Sequence, residues 1–441
     1  MAACSWQVLR LLLVARRTSM FLKQLSLTNI RCFGEAGISF DAPGEANRKW
    51  TVLLGENGTG KSTVLKATAL VLAGSDGLID LIVDPEHWIG SAGDEARIEV
   101  VIETAAGDDR QIALDFRRGE GISDFIGRSQ KTLVALNDAL AHAQRNYPMF
   151  GYGASRRLSA SRQVGVTRPF RNVRARSVAS LFDRHAELNP LEKWAMELDY
   201  RSDGTQDGMI KQVLSDFLPE IHFAHIDKQA GMLVFDTPDG MVPLAQLSDG
   251  YQNVAAWVGD LLYQITLTFD DYTNPLNARG LLIIDEIDLH LHPRWQRRLL
   301  DFLDQRLPRM QLLVTTHSLV TAQQSPEGAL HYCVRRELGP VIEQFASDPG
   351  KLLLHQLLAT EAFGRMSDES LEVERMKSEY RGLRDKAAQP DAAQADDDVA
   401  RMAAIEATID QMPMDEHALP VLTPEQQVLM RQILAAGAGE P

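Results

Sequence analysis

The chain has 441 residues, 45% of them hydrophobic and 24% charged, enough to bury one large core or two ordinary ones. Its net charge of −15 excludes wholesale coating of nucleic acid, so any polynucleotide contact must come from a local basic patch. The cysteines Cys4, Cys32 and Cys333 form neither a C-x-x-C pair nor a metal spacing with the histidines, which predicts a reducing cytoplasm with no disulfide and no structural zinc.

At the amino end, residues 6–15 are apolar except for Gln7 and Arg10, too short and interrupted to span a bilayer, and no signal cleavage site follows. Residues 1–19 precede Met20 and read as a poorly ordered or misassigned extension. A first lobe is expected over residues 20–145, with strands at 22–29, 38–40, 50–54, 97–103 and 111–116. Directly after the third strand, residues 55–62 read G-E-N-G-T-G-K-S, and residues 63–72 have helical apolar spacing. Strand, glycine loop and helix in that order predict a phosphate site. A loop whose backbone N–H groups wrap phosphates needs positive-φ positions and has no room for side chains, which Gly55, Gly58 and Gly60 supply among Glu56, Asn57 and Thr59. Lys61 then reaches the β- and γ-phosphates, Ser62 offers a hydroxyl to Mg²⁺, and the helix entered through Thr63 points its positive end at the nucleotide.

Residues 146–240 are expected to be a mostly helical middle region, joined to the first lobe by a tight glycine turn at residues 147–157 (Y-P-M-F-G-Y-G-A-S-R-R) near the nucleotide. Seven arginines follow without an acidic residue until Asp183: Arg156, Arg157, Arg162, Arg168, Arg171, Arg174 and Arg176. Such a run can track a DNA backbone, touch nucleotide phosphates or meet a partner's acidic face; it can equally be a solvated loop paired with this protein's own carboxylates.

A second lobe is expected over residues 241–346. Residues 247–252 (L-S-D-G-Y-Q) precede a helical pattern at 254–267, so Ser248 and Gly250 lie at a helix N-terminus as a potential anion site. Residues 280–286 (G-L-L-I-I-D-E) read as a buried parallel strand with Asp285 and Glu286 at its carboxyl end, where ligands bind in open α/β sheets. Asp285 is expected to hold Mg²⁺, and Glu286 to orient or deprotonate the attacking water. Residues 311–318 (Q-L-L-V-T-T-H-S) form another such strand, placing His317 to sense a γ-phosphate. Beyond them, residues 347–441 are expected to be a helical tail with patterns at 352–363 and 370–386, a linker at 387–398 and further helix; the acidic run at 396–398 reads as linker or helix start.

Residues 25–33 (L-S-L-T-N-I-R-C-F), the glycine loop, residues 247–252, residues 285–293 (D-E-I-D-L-H-L-H-P) and residues 315–318 together resemble the ABC-type ATPases, in their RecF, SMC and OLD-like branch. The resemblance runs from Leu22 to about Phe363. It implies an α/β P-loop NTPase fold: a two-lobed ABC-type head with a helical insertion and a short helical tail. It also implies ATP and Mg²⁺ as cofactors and a sandwich of two copies, in which Ser248 and Gly250 of one head close on the γ-phosphate held by the other and Asp288 lies at the seam. Arg31 would contact nucleotide or substrate, or else be a solvated strand-end arginine. Asp249 and the segment D-L-H-L-H-P depart from the transporter pattern, and the interval from Ser62 to Ser248 is too short for a long coiled coil. The glutamine that couples the lobes in such heads has no distinctive context, with Gln111, Gln130 and Gln144 all candidates.

After His317 there is no Toprim or H-N-H pattern, so the chain resembles a head that lacks its own nuclease. Residues 350–364 (G-K-L-L-L-H-Q-L-L-A-T-E-A-F-G) resemble, more loosely, Septu-type anti-phage ATPases, which implies a separate HNH nuclease as partner. The expected function is dimer-dependent ATP hydrolysis coupled to DNA recognition or to a partner nuclease, in anti-phage defence or DNA maintenance. The alternatives are an ATP-gated scaffold that holds an effector silent and, disfavoured by residues 29–33 and 288–293, a transporter motor.

Overall fold

Two apolar patterns build two sheets, one alternating and one continuous. The computed structural model describes residues 20–41, 48–104, 107–140, 147–156, 172–202, 210–211, 213–215, 221–268, 275–337, 339–387 and 396–410. In chain order the strands are β1 (Phe21–Ile30), β2 (Phe33–Ser39), β3 (Trp50–Gly55), β4 (Glu95–Glu103), β5 (Asp109–Arg117), β6 (Met149–Tyr152), β7 (His222–Asp227), β8 (Met232–Thr237), β9 (Gly240–Pro243), β10 (Gly280–Ile284), β11 (Met310–Thr316), β12 (Leu330–Arg336) and β13 (Gly339–Gln344). The longer helices are α1 (Lys61–Leu72), α2 (Gly74–Leu81), α3 (Ile122–Leu140), α4 (Leu191–Ser202), α5 (Asp249–Thr268), α6 (Pro293–Arg306), α7 (Leu371–Ala387) and α8 (Asp396–Asp410).

The alternating pattern gives an antiparallel sheet in the order β2-β1-β4-β5. In β4 every second residue is buried, so one face meets the core and the other meets water. The continuous pattern gives the central sheet, in the order β13-β12-β3-β11-β10-β6. From β12 through β6 its pairings are parallel, and only β13 runs antiparallel. Strands β3, β10 and β11 are buried at every residue because both faces are covered. Leu53, Leu281, Ile283 and Leu313 pack with α1 and the antiparallel sheet. Val52, Leu54, Leu282, Ile284, Leu312 and Val314 point the other way, toward α5, α6 and α4. The loops after β3, β10 and β11 therefore emerge together at one edge, held by two independent cores.

Within residues 146–240, where a mostly helical region with a tight entry turn is expected, the described residues hold short helices and four strands. Residues 149–152 form β6, which pairs in parallel with β10. Its outer edge is closed by a side-chain and backbone seam: Gly151 N–H donates to Ser177 O at 2.8 Å, Ser180 Oγ to Gly151 O at 3.0 Å, and Ser177 Oγ to Met149 O at 2.6 Å. Gly153 is required there, since a Cβ would lie 2.2 Å from Ser180 O. Strands β7, β8 and β9 then make a separate antiparallel sheet leading into α5. Strand β6 escapes a sequence reading because it is four residues long and its partner β10 is distant in the chain, whereas β7, β8 and β9 pair locally as hairpins.

The chain divides into two compact units, residues 1–366 and 367–441. Within the first, the segment expected to be helical over 352–363 contains only a short helix at Leu354–Leu358 and single 3₁₀ turns, ended by Gly364 at φ 68°. Within the second, α7 and α8 are linked by Lys386–Asp398 at 2.6 Å and Arg401–Glu379 at 2.7 Å, and the acidic run at 396–398 opens α8. Residues 1–19 lie outside the described residues.

Behind β3, His331 on β12 is only 4% exposed, with Nδ1 3.1 Å from Ala329 O. Burial pushes its imidazole down to about 4, against 6.5 when free. The unfolded chain therefore takes up the proton first, and stability present above pH 6.5 is lost as pH falls toward 4. About 2 kcal/mol should disappear between pH 7.5 and pH 5. Urea midpoints at both pH values check this: the wild-type midpoint falls, and the His331→Phe midpoint falls less; equal shifts would remove His331 as the source.

Candidate active site

The loop after β3 owes its shape to three glycines, at φ 156°, 78° and 96° for Gly55, Gly58 and Gly60. A Cβ on Gly60 would sit 2.4 Å from Phe33 Cζ, and one on Gly55 would sit 2.7 Å from Cys333 O. Any larger residue would therefore push the loop off β2 and β12. Glu56, Asn57 and Gly58 form its exposed crest, while Thr59 is buried with Oγ1 donating to Glu56 O at 2.8 Å. Lys61 Nζ folds back into the loop, donating to Gly55 O at 2.7 Å and Glu56 O at 2.8 Å. Burial lowers its pKa, opposed by Asp285 and Glu286 among others. Thr63 N–H donates to Gly60 O at 2.9 Å as α1 begins.

The strand order β3-β11-β10 brings the acidic turn to this loop. Asp285 Oδ2 accepts from Ser62 Oγ at 2.7 Å, and its Oδ1 accepts from Thr315 Oγ1 at 2.7 Å. Thr315 Oγ1 in turn accepts from Glu286 N–H at 2.7 Å. Glu286 itself is left-handed, at φ 50°, an uncommon conformation that costs a non-glycine residue about 1–3 kcal/mol. His317 lies beside it, Nε2 to Oε1 3.7 Å. Burial lowers the His317 pKa, Lys61 reinforces this, and the nearby carboxylates oppose it, so the ring is neutral at pH 7. Asp288, buried, accepts from Thr316 Oγ1 at 2.6 Å. The adjacent threonines of β11 thus each hold one acid of the turn. Ser62 Oγ and Asp285 Oδ2 are hard oxygen donors, the kind Mg²⁺ takes together with phosphate and water oxygens.

Elsewhere the predicted residues separate into groups. Ser248 is exposed just before α5, and a Cβ on Gly250 would lie 3.0 Å from His290 O, so the start of α5 rests against the turn that follows Glu286. Tyr251 on α5 meets Trp295 on α6 edge to face at 5.1 Å. Arg31, at φ 52°, stacks its guanidinium 4.4 Å over Trp88 and donates its N–H to Trp88 O at 3.0 Å. Gln111 lies on β5 bonded to Glu99, Gln130 is exposed on α3, and Gln144 is outside the described residues.

Of the arginine run expected to meet DNA or a partner, two members turn inward. Arg156 is 5% exposed and Arg174 turns inward to Leu72 O, with Nη2 at 2.9 Å; burial pushes both down to about 10. Arg176 is exposed, and Arg157, Arg162, Arg168 and Arg171 lie outside the described residues. Consecutive arginines look alike in sequence, but the seam along β6 decides which of them face in. Sequence reasoning missed Asn253 altogether and the structural roles of Thr315, Thr316 and Arg156. The T-T pair was visible, and its role depends on the parallel register of Ile284 with Val314, which no local pattern reveals.

Residues 153–322 match the family described as "AAA domain, putative AbiEii toxin, Type IV TA system", and residues 24–174 match the family described as "AAA domain". The described residues have the P-loop NTPase fold, and each of the two AAA-domain families matches part of the chain. Among curated proteins, this chain is 24% identical over 318 residues to "Septu protein PtuA" of Bacillus mycoides, covering 72% of this chain and 41% of that protein. It is 28% identical over 147 residues to "Retron Ec83 probable ATPase" of Escherichia coli, covering 33% of this chain and 27% of the relative. The match thus spans less than half the length of either. Among solved structures, the SMC head domain from Thermotoga maritima aligns with a TM-score of 0.41 at 15% identity, over 74% of this chain and 99% of that one.

Thr315→Val should test the shared hydroxyl. It keeps the shape and leaves Asp285 Oδ1 and Glu286 N–H without their partner, at an expected cost of about 2–4 kcal/mol. A thermal midpoint within a degree of wild type would show that the hydroxyl is not needed.

Proposed function

We propose that this ATPase hydrolyses ATP with Mg²⁺ in a dimer of heads and couples its nucleotide state to DNA recognition or to a partner nuclease, in anti-phage defence. The observation that carries the hydrolytic reading is the contact of Ser62 with Asp285, with Glu286 and neutral His317 one and two side chains away. The glycine loop cradles the phosphates through backbone N–H groups, and Lys61 leaves its two loop carbonyls to meet the β- and γ-phosphates. Ser62 and Asp285 hold Mg²⁺, which when bound neutralises phosphate charge. Glu286 takes the proton of the attacking water or orients it, and His317 donates a hydrogen bond to the γ-phosphate.

The defence context is supported by the relatives named for Septu and retron systems, of which the chain covers 41% and 27%. The exposed Ser248 supports a contact in trans with a second copy. No helix among the described residues is long and apolar enough to cross a membrane.

ATP turnover should be measured with and without double-stranded DNA for wild type, Lys61→Ala and Glu286→Gln, with light scattering on the same samples. Both substitutions are expected to lower turnover about 100-fold or more. Only Glu286→Gln should hold a dimer with ATP, and DNA should stimulate the wild type. Assembly on ATP with negligible wild-type turnover would replace the engine by a gated scaffold, and turnover indifferent to DNA would leave the partner nuclease as the coupled element.

A further inference from the structure

Arg156 has almost no solvent exposure, and its side chain makes four hydrogen bonds among the described residues. Its Nε donates to Gly153 O at 2.9 Å and its Nη1 to Asn253 Oδ1 at 3.2 Å. Its Nη2 donates to both Asp285 O and Glu286 O. A guanidinium has five N–H groups, so nearly its whole donor set is committed inside the protein. It cannot reach a phosphate of nucleotide or nucleic acid without dismantling these bonds. Among the described residues none of its acceptors is a carboxylate. The charge is balanced through space by Asp285, Asp288 and Glu286, which raise its pKa against the burial that lowers it to about 10, so it remains a cation at neutral pH.

The three elements it joins are the ones a hydrolytic head must align. Gly153 ends β6, whose edge is sealed by Ser177 and Ser180, giving the arginine a fixed base. Asp285 N–H donates to Tyr152 O at 2.8 Å, so β6 and the acidic turn are already in register. Asn253 lies on α5, one turn beyond Gly250. Glu286 is the left-handed residue of the turn; Thr315 holds its N–H and Arg156 holds its C=O, so both ends of the strained unit are clamped. A lysine could not reproduce this, because one ammonium cannot span two adjacent carbonyls, a side-chain amide and a third carbonyl in one plane.

We propose that Arg156 is a positioning residue: it sets the place of the Glu286 carboxylate by fixing the left-handed turn, and it couples that place to the helix carrying Ser248 through Asn253. The proposal rests on the hydrolytic reading above. It goes beyond it in making the geometry of the Glu286 turn depend on α5, so that closure of a second head on Ser248 is felt at the carboxylate.

The test measures kcat, KM and the direct affinity for a fluorescent ATP analogue in full-length wild type, Lys61→Ala, Arg156→Lys, Arg156→Gln and Asn253→Ala, with active molecules counted by folded fraction. A misplacement of about 1 Å at a reacting group costs on the order of 100-fold. Arg156→Gln is therefore expected to lower kcat about 100-fold with analogue affinity within about threefold of wild type. Arg156→Lys should lie between the two, and Asn253→Ala, which breaks only the link to α5, should lower kcat about fivefold or more. A purely structural arginine would lower the folded fraction and leave kcat per folded molecule unchanged, and that result overturns the proposal. If neither Arg156 variant folds, Asn253→Ala decides: wild-type kcat there overturns the coupling and loss of kcat at intact affinity supports it. The wild type and Lys61→Ala separate the two levels. Absence of turnover in the wild type removes the hydrolytic reading and this proposal with it, whereas Lys61-dependent turnover that Arg156 variants leave intact removes this proposal alone.

Discussion

The carboxylate of Asp285 is the point on which the site is built, because its two oxygens are bonded to two different elements. One receives the Ser62 hydroxyl at the start of α1; the other receives the Thr315 hydroxyl at the end of β11. This is possible only if β10 and β3 flank β11 in parallel and all three strands end at the same level. The arrangement demands that the central strands be buried on both faces, since a parallel sheet is reached through crossovers that cover it. The two apolar clusters on either side of β3, β10 and β11 follow from that demand. So does the antiparallel sheet, whose buried face covers α1 and keeps the glycine loop pressed between Phe33 and Cys333.

Electrostatics at the site are arranged as a graded series. Asp285, Glu286 and Asp288 fall within four residues, a density of negative charge that would repel itself if left bare. Each acid has a separate neighbour: Asp285 two hydroxyls, Asp288 the Thr316 hydroxyl, Glu286 the imidazole of His317. Two cations sit within range, Arg156 of all three acids and Lys61 of Asp285 and Glu286, but both bond to carbonyls instead. Keeping the cations off the carboxylates leaves the acids free for a metal and a water. His317 feels the same carboxylates, yet burial and Lys61 outweigh them, which keeps the ring neutral and able to donate from one nitrogen while accepting at the other.

What the sequence made legible was whatever a short window encodes. The glycine loop declared itself because positive φ and lack of space leave glycine as the residue that fits, and β3, β10 and β11 declared themselves as unbroken apolar runs. Helix α5 was readable over residues 254–267 through its spacing. The contents of residues 146–240 were not, because β6 is four residues long and owes its existence to β10 on one side and to Ser177 and Ser180 on the other. The inward turn of Arg156 and Arg174 was hidden for the same reason. Composition reports that a segment is basic, and only the path of the chain reports which guanidinium turns inward. Roles for Thr315 and Asn253 were equally hidden, since a threonine at a strand end and an asparagine on a helix are commonplace until register sets them beside an acid and an arginine.

The geometry of the turn after β10 also bears on how two heads could meet. Glu286 and His290 are both left-handed, at φ 50° and 64°, so the chain reverses twice within five residues and brings His290 O against α5. Gly250 is the residue under that carbonyl; with a Cβ there at 3.0 Å, the helix start could not rest on the turn without a shift. Gly250 is thus occupied by contacts within its own chain, through its Cα face. Ser248 and Asp249, by contrast, are exposed. The hydroxyl of Ser248 and the N-terminal end of α5 are therefore turned to solvent while the helix is anchored from behind by Gly250, Asn253 and Tyr251. A rigidly backed helix N-terminus with an outward hydroxyl is suited to receiving an anion brought by another molecule. That is the arrangement the proposed contact in trans requires: the same helix is bonded to its own acidic turn on one side and left open to a partner's nucleotide on the other.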